Sequence, residues 1–278
     1  MKYQKTIVSL FGCSNMKTKQ KLVMQSTQIP KVIHYCWFGR NPLPEKAVKC
    51  IESWKKFLPD YEIKEWNEDN FDIAINPYVE EAYHLKKYAF VSDYARFWVL
   101  YNYGGVYFDV DVELLKPIDD ILATGPFMGL EGFEPWYKYK HLRAAPAAGL
   151  GMAAYPKLDV IKDMLDYYKG RHFISLKGKP KFKTVVLIVA DILLERGGVI
   201  DPEKITVCSG IHIYPEEYFN PKRVATGTIT LTENTRSIHH YAATWVDRKP
   251  KRGLAKHRER FSNLMLRFRL SLKRMFSK

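Results

Sequence analysis

The chain has 278 residues but only four cysteines, Cys13, Cys36, Cys50 and Cys208. No two stand at the short spacing of a zinc knuckle or a disulfide framework. Reduced thiols, and with them a cytosolic setting, are the expectation. Nor does any stretch approach the roughly eighteen uninterrupted apolar residues of a membrane-spanning helix. The apolar piece from Ile7 to Phe11 is too brief for a strong secretory leader and lacks a good cleavage site. Basic and aromatic residues are not interleaved through the body of the chain, which argues against a nucleic-acid groove.

The formal charge of +14 is unevenly spread. From Asp247 to Lys278 there are twelve Lys and Arg against two acids, so this tail carries ten of the fourteen net charges and the body is nearly balanced. The organisation expected is an extension over residues 1–28, one domain over 29–246 and a basic tail over 247–278. A chain of this length can bury one sizeable core.

What the chain does have is a conspicuous run from Tyr103 to Pro117, YGGVYFDVDVELLKP. Val106, Phe108, Val110 and Val112 alternate with Asp109, Asp111 and Glu113, which reads as one strand. On a strand Asp109 and Asp111 point the same way, about 7 Å apart. Neighbouring carboxylates repel unless a cation satisfies both. A hard divalent ion such as magnesium or manganese does so while leaving positions for phosphate oxygens. An isolated Asp-x-Asp is usually a solvated strand face, but this one follows a very apolar segment and lies where the carboxyl edge of a sheet is expected.

Upstream, Lys31–Arg40 reads as a buried strand ending at Gly39, Pro44 and Glu45 open a helix that Pro59-Asp60 stops, and Tyr61–Trp66 is a second strand. Strand, helix, strand is the arrangement of nucleotide-binding parallel sheets, and Trp37 falls at a strand's carboxyl end. In AFVSDYARFWVLYNYGG, Ser92 reads as the N-cap of a helix that Gly104 closes. Asp93 and Arg96 are three apart on one face, suited to hydrogen-bonding a polyhydroxylated ligand. An ordinary local ion pair is the simpler alternative.

The blocks IPKVIHYCWFG, SWKKFLPDYEIKEWNE, FVSDYARFWVLYNYGGVYFDVDV and SIHHYAATW, in this order, resemble glycosyltransferase family 32, and through it the catalytic domains of clostridial glucosylating toxins. The resemblance spans about Ile29 to Trp245. It implies a GT-A, Rossmann-like α/β domain with a mixed, mainly parallel sheet. It also implies a UDP- or GDP-sugar donor, Mn²⁺ or Mg²⁺, and hexose transfer to a glycan acceptor with retention of configuration. Carried over by motif, Trp37 stacks on the base, and Asp93 and Arg96 hold sugar hydroxyls. Asp109 contacts the ribose or sugar and the metal partly through water, and Asp111 binds the metal directly. His239 and His240 face opposite ways in an extended segment, so one of them reaches the metal; by motif it is His240. Trp245 then donates its indole N–H to a diphosphate oxygen. Ala243-Thr244 stands where the family more often has Gly-Ser.

Between these blocks, Glu131 and Glu134 lie in a loop able to border an acceptor pocket, the small residues of Ala144–Pro156 permit close backbone approach, and Asp191 is a polar position in an otherwise core-like helix. From Phe261, the residues Leu264, Met265, Phe268, Leu272, Met275 and Phe276 recur at helical spacing among basic residues, as on a helix lying on an anionic membrane. The reading favoured is a surface or capsular polysaccharide transferase, cytoplasmic and peripheral on the inner face of the cell membrane. A non-catalytic membrane-surface module that retains the fold is the alternative. Dehalogenase-type phosphotransfer is disfavoured because it needs Asp-x-Asp-x-Thr or Ser, and Glu113 stands at the last place.

Overall fold

The computed structural model describes residues 28–133, 139–181, 183–242 and 253–276. Its first strand, β1 (Val32–Cys36), is followed by α1 (Glu45–Phe57) and β2 (Glu62–Trp66), and β1 and β2 pair in parallel. The strand–helix–strand unit read from the sequence is therefore present. Helix α1 turns Ala47, Cys50, Ile51 and Trp54 inward at 3.6-residue spacing.

Two helices come next, α2 (Pro77–His84), capped by the Asn76 side chain on the Val79 N–H, and α3 (Tyr88–Tyr103). Helix α3 begins four residues before the Ser92 cap expected from the sequence. Inside the helix the Ser92 hydroxyl donates back to the Tyr88 carbonyl (3.2 Å), the other local bond open to a serine.

The chain then forms β3 (Gly105–Tyr107), β4 (Val112–Leu114), α4 (Asp119–Leu122), β5 (Phe127–Gly132), β6 (Ala144–Pro146), β7 (Met152–Ala154) and α5 (Asp159–Asp166). After these come α6 (Val185–Glu195), β8 (Thr206–Cys208), β9 (Ile211–Tyr214), α7 (Glu216–Phe219), β10 (Ser237–His239) and α8 (Gly253–Phe276). The main sheet has the order β2-β1-β3-β7-β5-β9-β8, with β6 on β5. Strands β1, β2, β3, β5 and β9 share one direction and β6, β7 and β8 oppose them, so the sheet is mixed with most strands co-directional.

Alternation along the central strands feeds two cores. Val106 and Ala153 point into the layer with Trp54, Phe108 and Phe219, while Tyr107 and Met152 point into the layer with Phe97, Tyr168 and Val189. Gly105 lets β3 lie against β1: with φ at 95°, a Cβ there would stand 2.7 Å from the Val32 carbonyl oxygen.

The run from Val106 to Glu113 is not one strand. β3 stops at Tyr107, the chain turns with the Val112 N–H donating to the Asp109 carbonyl (3.0 Å), and β4 leaves the main sheet to pair antiparallel with β10. The Asp109 N–H is taken by the Gly149 carbonyl (3.0 Å), which ends the ladder. Val112 and Leu114 keep the apolar rhythm because they bury under α1, where Trp54 Nε1 donates to the Val112 carbonyl (2.7 Å) and the Leu114 N–H donates to Ser53 Oγ (2.9 Å). Buried Cys36, Cys50 and Cys208 are all free thiols.

Candidate active site

The turn between β3 and β4 lies at the carboxyl end of β3, and both its aspartates line a cleft of about 980 Å³. That volume suits a ligand of nucleotide-sugar size. The same cleft is lined by Trp37, Asp93, Arg96 and His239. β1, α3, the β3–β4 turn and β10 thus converge at one edge of the sheet, the place where open α/β sheets bind ligands.

Arg96 organises one half. Its guanidinium is almost fully buried, lies 4.9 Å over the Tyr107 ring, and reaches Asp93 at 3.1 Å and Asp109 at 3.2 Å. Tyr107 donates its hydroxyl to the same Asp109 oxygen at 2.9 Å. Burial raises the Asp93 carboxyl to about 7; Arg96 draws it down and Asp109 pushes it up. The Asp93–Arg96 pair, spaced as a local ion pair, is therefore a desolvated pair that the partly exposed Asp109 joins from the cleft. Buried cations of this kind stay in place only when well partnered.

Asp111 organises the other half. It accepts the Ala242 N–H (2.8 Å) and lies 3.1 Å from His239 Nε2. Burial opposes its charge, but the His239 hydrogen bond and charge and the Ala242 amide hold it at about 2. Burial works against a charge on the His239 ring, yet the ring is held above its ordinary value, by Asp111 first and by Asp109 and Glu131 behind it. His239 Nδ1 is buried with no hydrogen-bond partner among the described residues.

The two histidines exchange the places expected of them. His240 turns away from the cleft, with Nε2 2.8 Å from Glu113, and only its backbone N–H reaches Asp111, at the carbonyl (2.9 Å). Adjacent residues of an extended strand face opposite sides, and the β4–β10 register turns His239 inward.

Trp37 lines the cleft with its indole N–H donated to the Asn41 carbonyl (2.6 Å). Trp245 and Glu134 lie outside the described residues. Glu131, on β5, is half-buried in the cleft wall, and desolvation there raises its carboxyl. The small-residue run after β6 brings Gly149 against the aspartates: a Cβ there would stand 2.1 Å from Asp109 Oδ2. Asp191 is absent from the cleft lining and is held by Tyr139 (2.7 Å), Lys140 (2.5 Å) and Lys183, which keep it at about 2 despite the burial that opposes its charge.

Sequence reasoning missed Asn220, Lys222 and Tyr241, which also line the cleft. Tyr241 donates its hydroxyl to Asn220 (2.9 Å), and Lys222 donates to the His240 carbonyl (3.0 Å). Tyr241 adjoins the histidine pair and was within reach of inspection. Nothing in the sequence marks the other two.

The donor chemistry fits a hard divalent cation that retains water or phosphate ligands: an ionised Asp111, an adjacent Asp109 and an imidazole with an unpartnered nitrogen. Among the described residues, no three His, Cys, Asp or Glu side chains stand together as a group able to hold a metal ion by themselves.

Residues 44–128 match the family model described as the glycosyltransferase sugar-binding region containing the DXD motif. Inositol phosphoceramide mannosyltransferase 3 of Schizosaccharomyces pombe is 32% identical over 106 residues, covering 35% of this chain and 28% of the relative. The initiation-specific alpha-1,6-mannosyltransferase of Candida albicans is 25% identical over 190 residues, covering 62% and 45%. The aligned regions thus span less than half the length of these curated relatives. Among solved structures, the PaToxG glycosyltransferase superposes with a TM-score of 0.43 at 19% identity, covering 62% of this chain and 71% of that one. An active-site mutant of LgtC gives 0.40 at 13% identity, covering 83% and 95%. Residues 44–128, which carry α1, α3 and the Asp109–Asp111 turn, are thus similar to the glycosyltransferase sugar-binding region that contains the DXD motif.

Proposed function

We propose that the protein is a retaining, metal-dependent glycosyltransferase that moves a hexose from a UDP- or GDP-sugar to a glycan acceptor, in surface or capsular polysaccharide synthesis. The observation that carries this reading is the convergence of Asp93, Arg96, Asp109 and Asp111 in one cleft, inside the segment that matches the sugar-binding region. Trp37, fixed by its bond to Asn41, offers a ring face to the nucleotide base. Asp93 and Arg96 are fixed donors and acceptors for sugar hydroxyls, and Arg96 holds Asp109 so that its second oxygen is free for the ribose or sugar.

Asp111 and His239 are the residues that would hold Mn²⁺ or Mg²⁺, with Asp109 through water. When bound, the ion supplies Lewis-acid stabilisation of the leaving diphosphate. Asp93 and Arg96 are buried on the hydroxyl-binding side, so hydrogen bonds to them act at low dielectric. No carboxylate in the cleft is singled out as a nucleophile, and front-face departure and attack is the mechanism favoured.

The test is a thermal-shift and hydrolysis panel of UDP- and GDP-sugars with and without manganese, on wild type and Asp111→Asn. Stabilisation by one nucleotide sugar only with metal, lost in Asp111→Asn, supports the assignment. Absence of any response in wild type overturns it in favour of a non-catalytic relative.

A further inference from the structure

Helix α8 is amphipathic the wrong way round for a helix resting on its own domain. The side that meets the domain carries polar groups: buried Asn263 donates its amide to the Gly178 carbonyl (3.1 Å). Arg267 donates to the Ile174 carbonyl (2.9 Å), Arg274 pairs with buried Glu80 on α2, and Leu270 is the apolar residue buried beside them. The outward side is apolar. Phe261 is 66% exposed, Phe268 58%, Met275 71% and Phe276 83%, with Leu254 and Met265 also exposed. At about 3.6 residues per turn these six side chains fall within an arc of roughly 100°, opposite Asn263 and Leu270.

A surface helix ordinarily buries its apolar stripe, so this stripe is built for another surface. Its surroundings say which. Helix α8 carries seven Lys and Arg and one acid, and Arg258 and Arg269 are exposed along the edge of the stripe. The loop to which the helix is anchored adds exposed Lys177, Lys179 and Lys181 and the 81% exposed Leu176. Contact between loop and helix is close: a Cβ on Gly178 would stand 2.2 Å from the Arg260 carbonyl oxygen.

We infer that α8 and the 176–181 loop together form one docking surface for an anionic lipid bilayer, with the apolar stripe entering the acyl boundary and the basic residues meeting lipid phosphates. Anchored by Asn263, Arg267 and Arg274, the helix binds as a rigid part of the domain. Both anchoring segments run on into cleft residues, Lys86 and Tyr88 after α2 and Thr184 to Val186 after the loop, so the bilayer fixes the orientation of the cleft. This holds whether or not the cleft transfers sugar.

The full chain is tested by co-sedimentation with phosphatidylcholine vesicles containing or lacking phosphatidylglycerol, across salt. Wild type is expected to bind only the anionic vesicles, and more weakly as salt rises. The outward-facing triple variant Phe261→Ser/Met265→Ser/Phe268→Ser, which touches none of the anchors, should lose roughly tenfold or more of that affinity. Lys177→Glu/Lys179→Glu/Lys181→Glu should lose a comparable factor, which a membrane site confined to α8 would not predict. Circular dichroism and melting temperature confirm that both variants fold. Failure of wild type to bind anionic vesicles overturns the inference, as does unchanged binding by the first variant. A dimer of wild type that the first variant converts to monomer, without vesicle binding, would assign the face to a second copy instead.

Discussion

The Gly149 backbone stands against the Asp109 carboxylate so closely that a Cβ would lie 2.1 Å from Oδ2 and 3.2 Å from Arg96 Nη1. Gly149 is not among the residues with positive φ, so alanine is compatible with its backbone and the substitution acts through the added methyl group, on Asp109 first and on Arg96 beside it. Gly149→Ala should displace Asp109 from Arg96 and weaken nucleotide-sugar binding, with overpacking costing about 1–3 kcal/mol of stability. Calorimetric titration of the donor beside a denaturant melt measures both effects; full donor affinity in the variant would refute the close packing.

The two histidines separate cleanly by mutation. His239→Ala should lower metal-dependent donor binding by roughly tenfold to a hundredfold. His240→Ala removes only the partner of half-exposed Glu113 and should leave that binding near wild type. Manganese titrations of the donor-induced melting shift distinguish them, and the opposite ranking would restore His240 as the ligand.

Asp93 and Asp111 share a cleft but have opposite pH signatures. Asp93 is raised from 3.8 to about 7 in the fold, so between those values the folded chain holds a proton there that the unfolded chain has lost. Its contribution is fully present below about pH 4 and is lost as pH climbs through 7, whereas Asp111, depressed to about 2, stabilises above about pH 4 and ceases to do so as pH falls toward 2. Asp93→Asn should therefore melt at or above the wild-type temperature at about pH 8, with the gap closing by about pH 5, while activity is lost. A variant less stable than wild type at the alkaline end would show that the Arg96 charge needs both carboxylates.

Trp54 is the support under β4. Its ring is fully buried, lies 5.5 Å from Phe108, and its Nε1 donates to Val112. Trp54→Phe should cost about 1–3 kcal/mol by orphaning that carbonyl. It should also loosen Asp111, so that donor affinity falls with stability. Equilibrium urea unfolding and donor titration on the same preparation check the pairing of the two losses.

Legibility in the sequence followed the range of the interactions. The β1–α1–β2 unit was readable because the spacing of Ala47, Ile51 and Trp54 and the Pro59 stop are local. The break between β3 and β4 was not, because it is made by the carbonyl of distant Gly149, while the apolar alternation continues unbroken through Val112. Ser92 misled as a helix start because serine caps and serine back-bonding look alike in sequence. At the site the aspartates and Asp93–Arg96 were visible as residue types, but not the burial of Arg96, since arginines are ordinarily exposed. Which histidine faces inward depended on strand register, beyond the reach of the motif alone.

The pairing of β4 with β10 gives the cleft a birth order. Asp111 and the Ala242 amide that holds it are 131 residues apart. At ordinary translation speeds that separation is on the order of ten seconds of synthesis. For that interval a nascent chain already carrying both aspartates has no His239 and no closing strand, so this wall of the cleft is completed only once β10 has emerged from the ribosome.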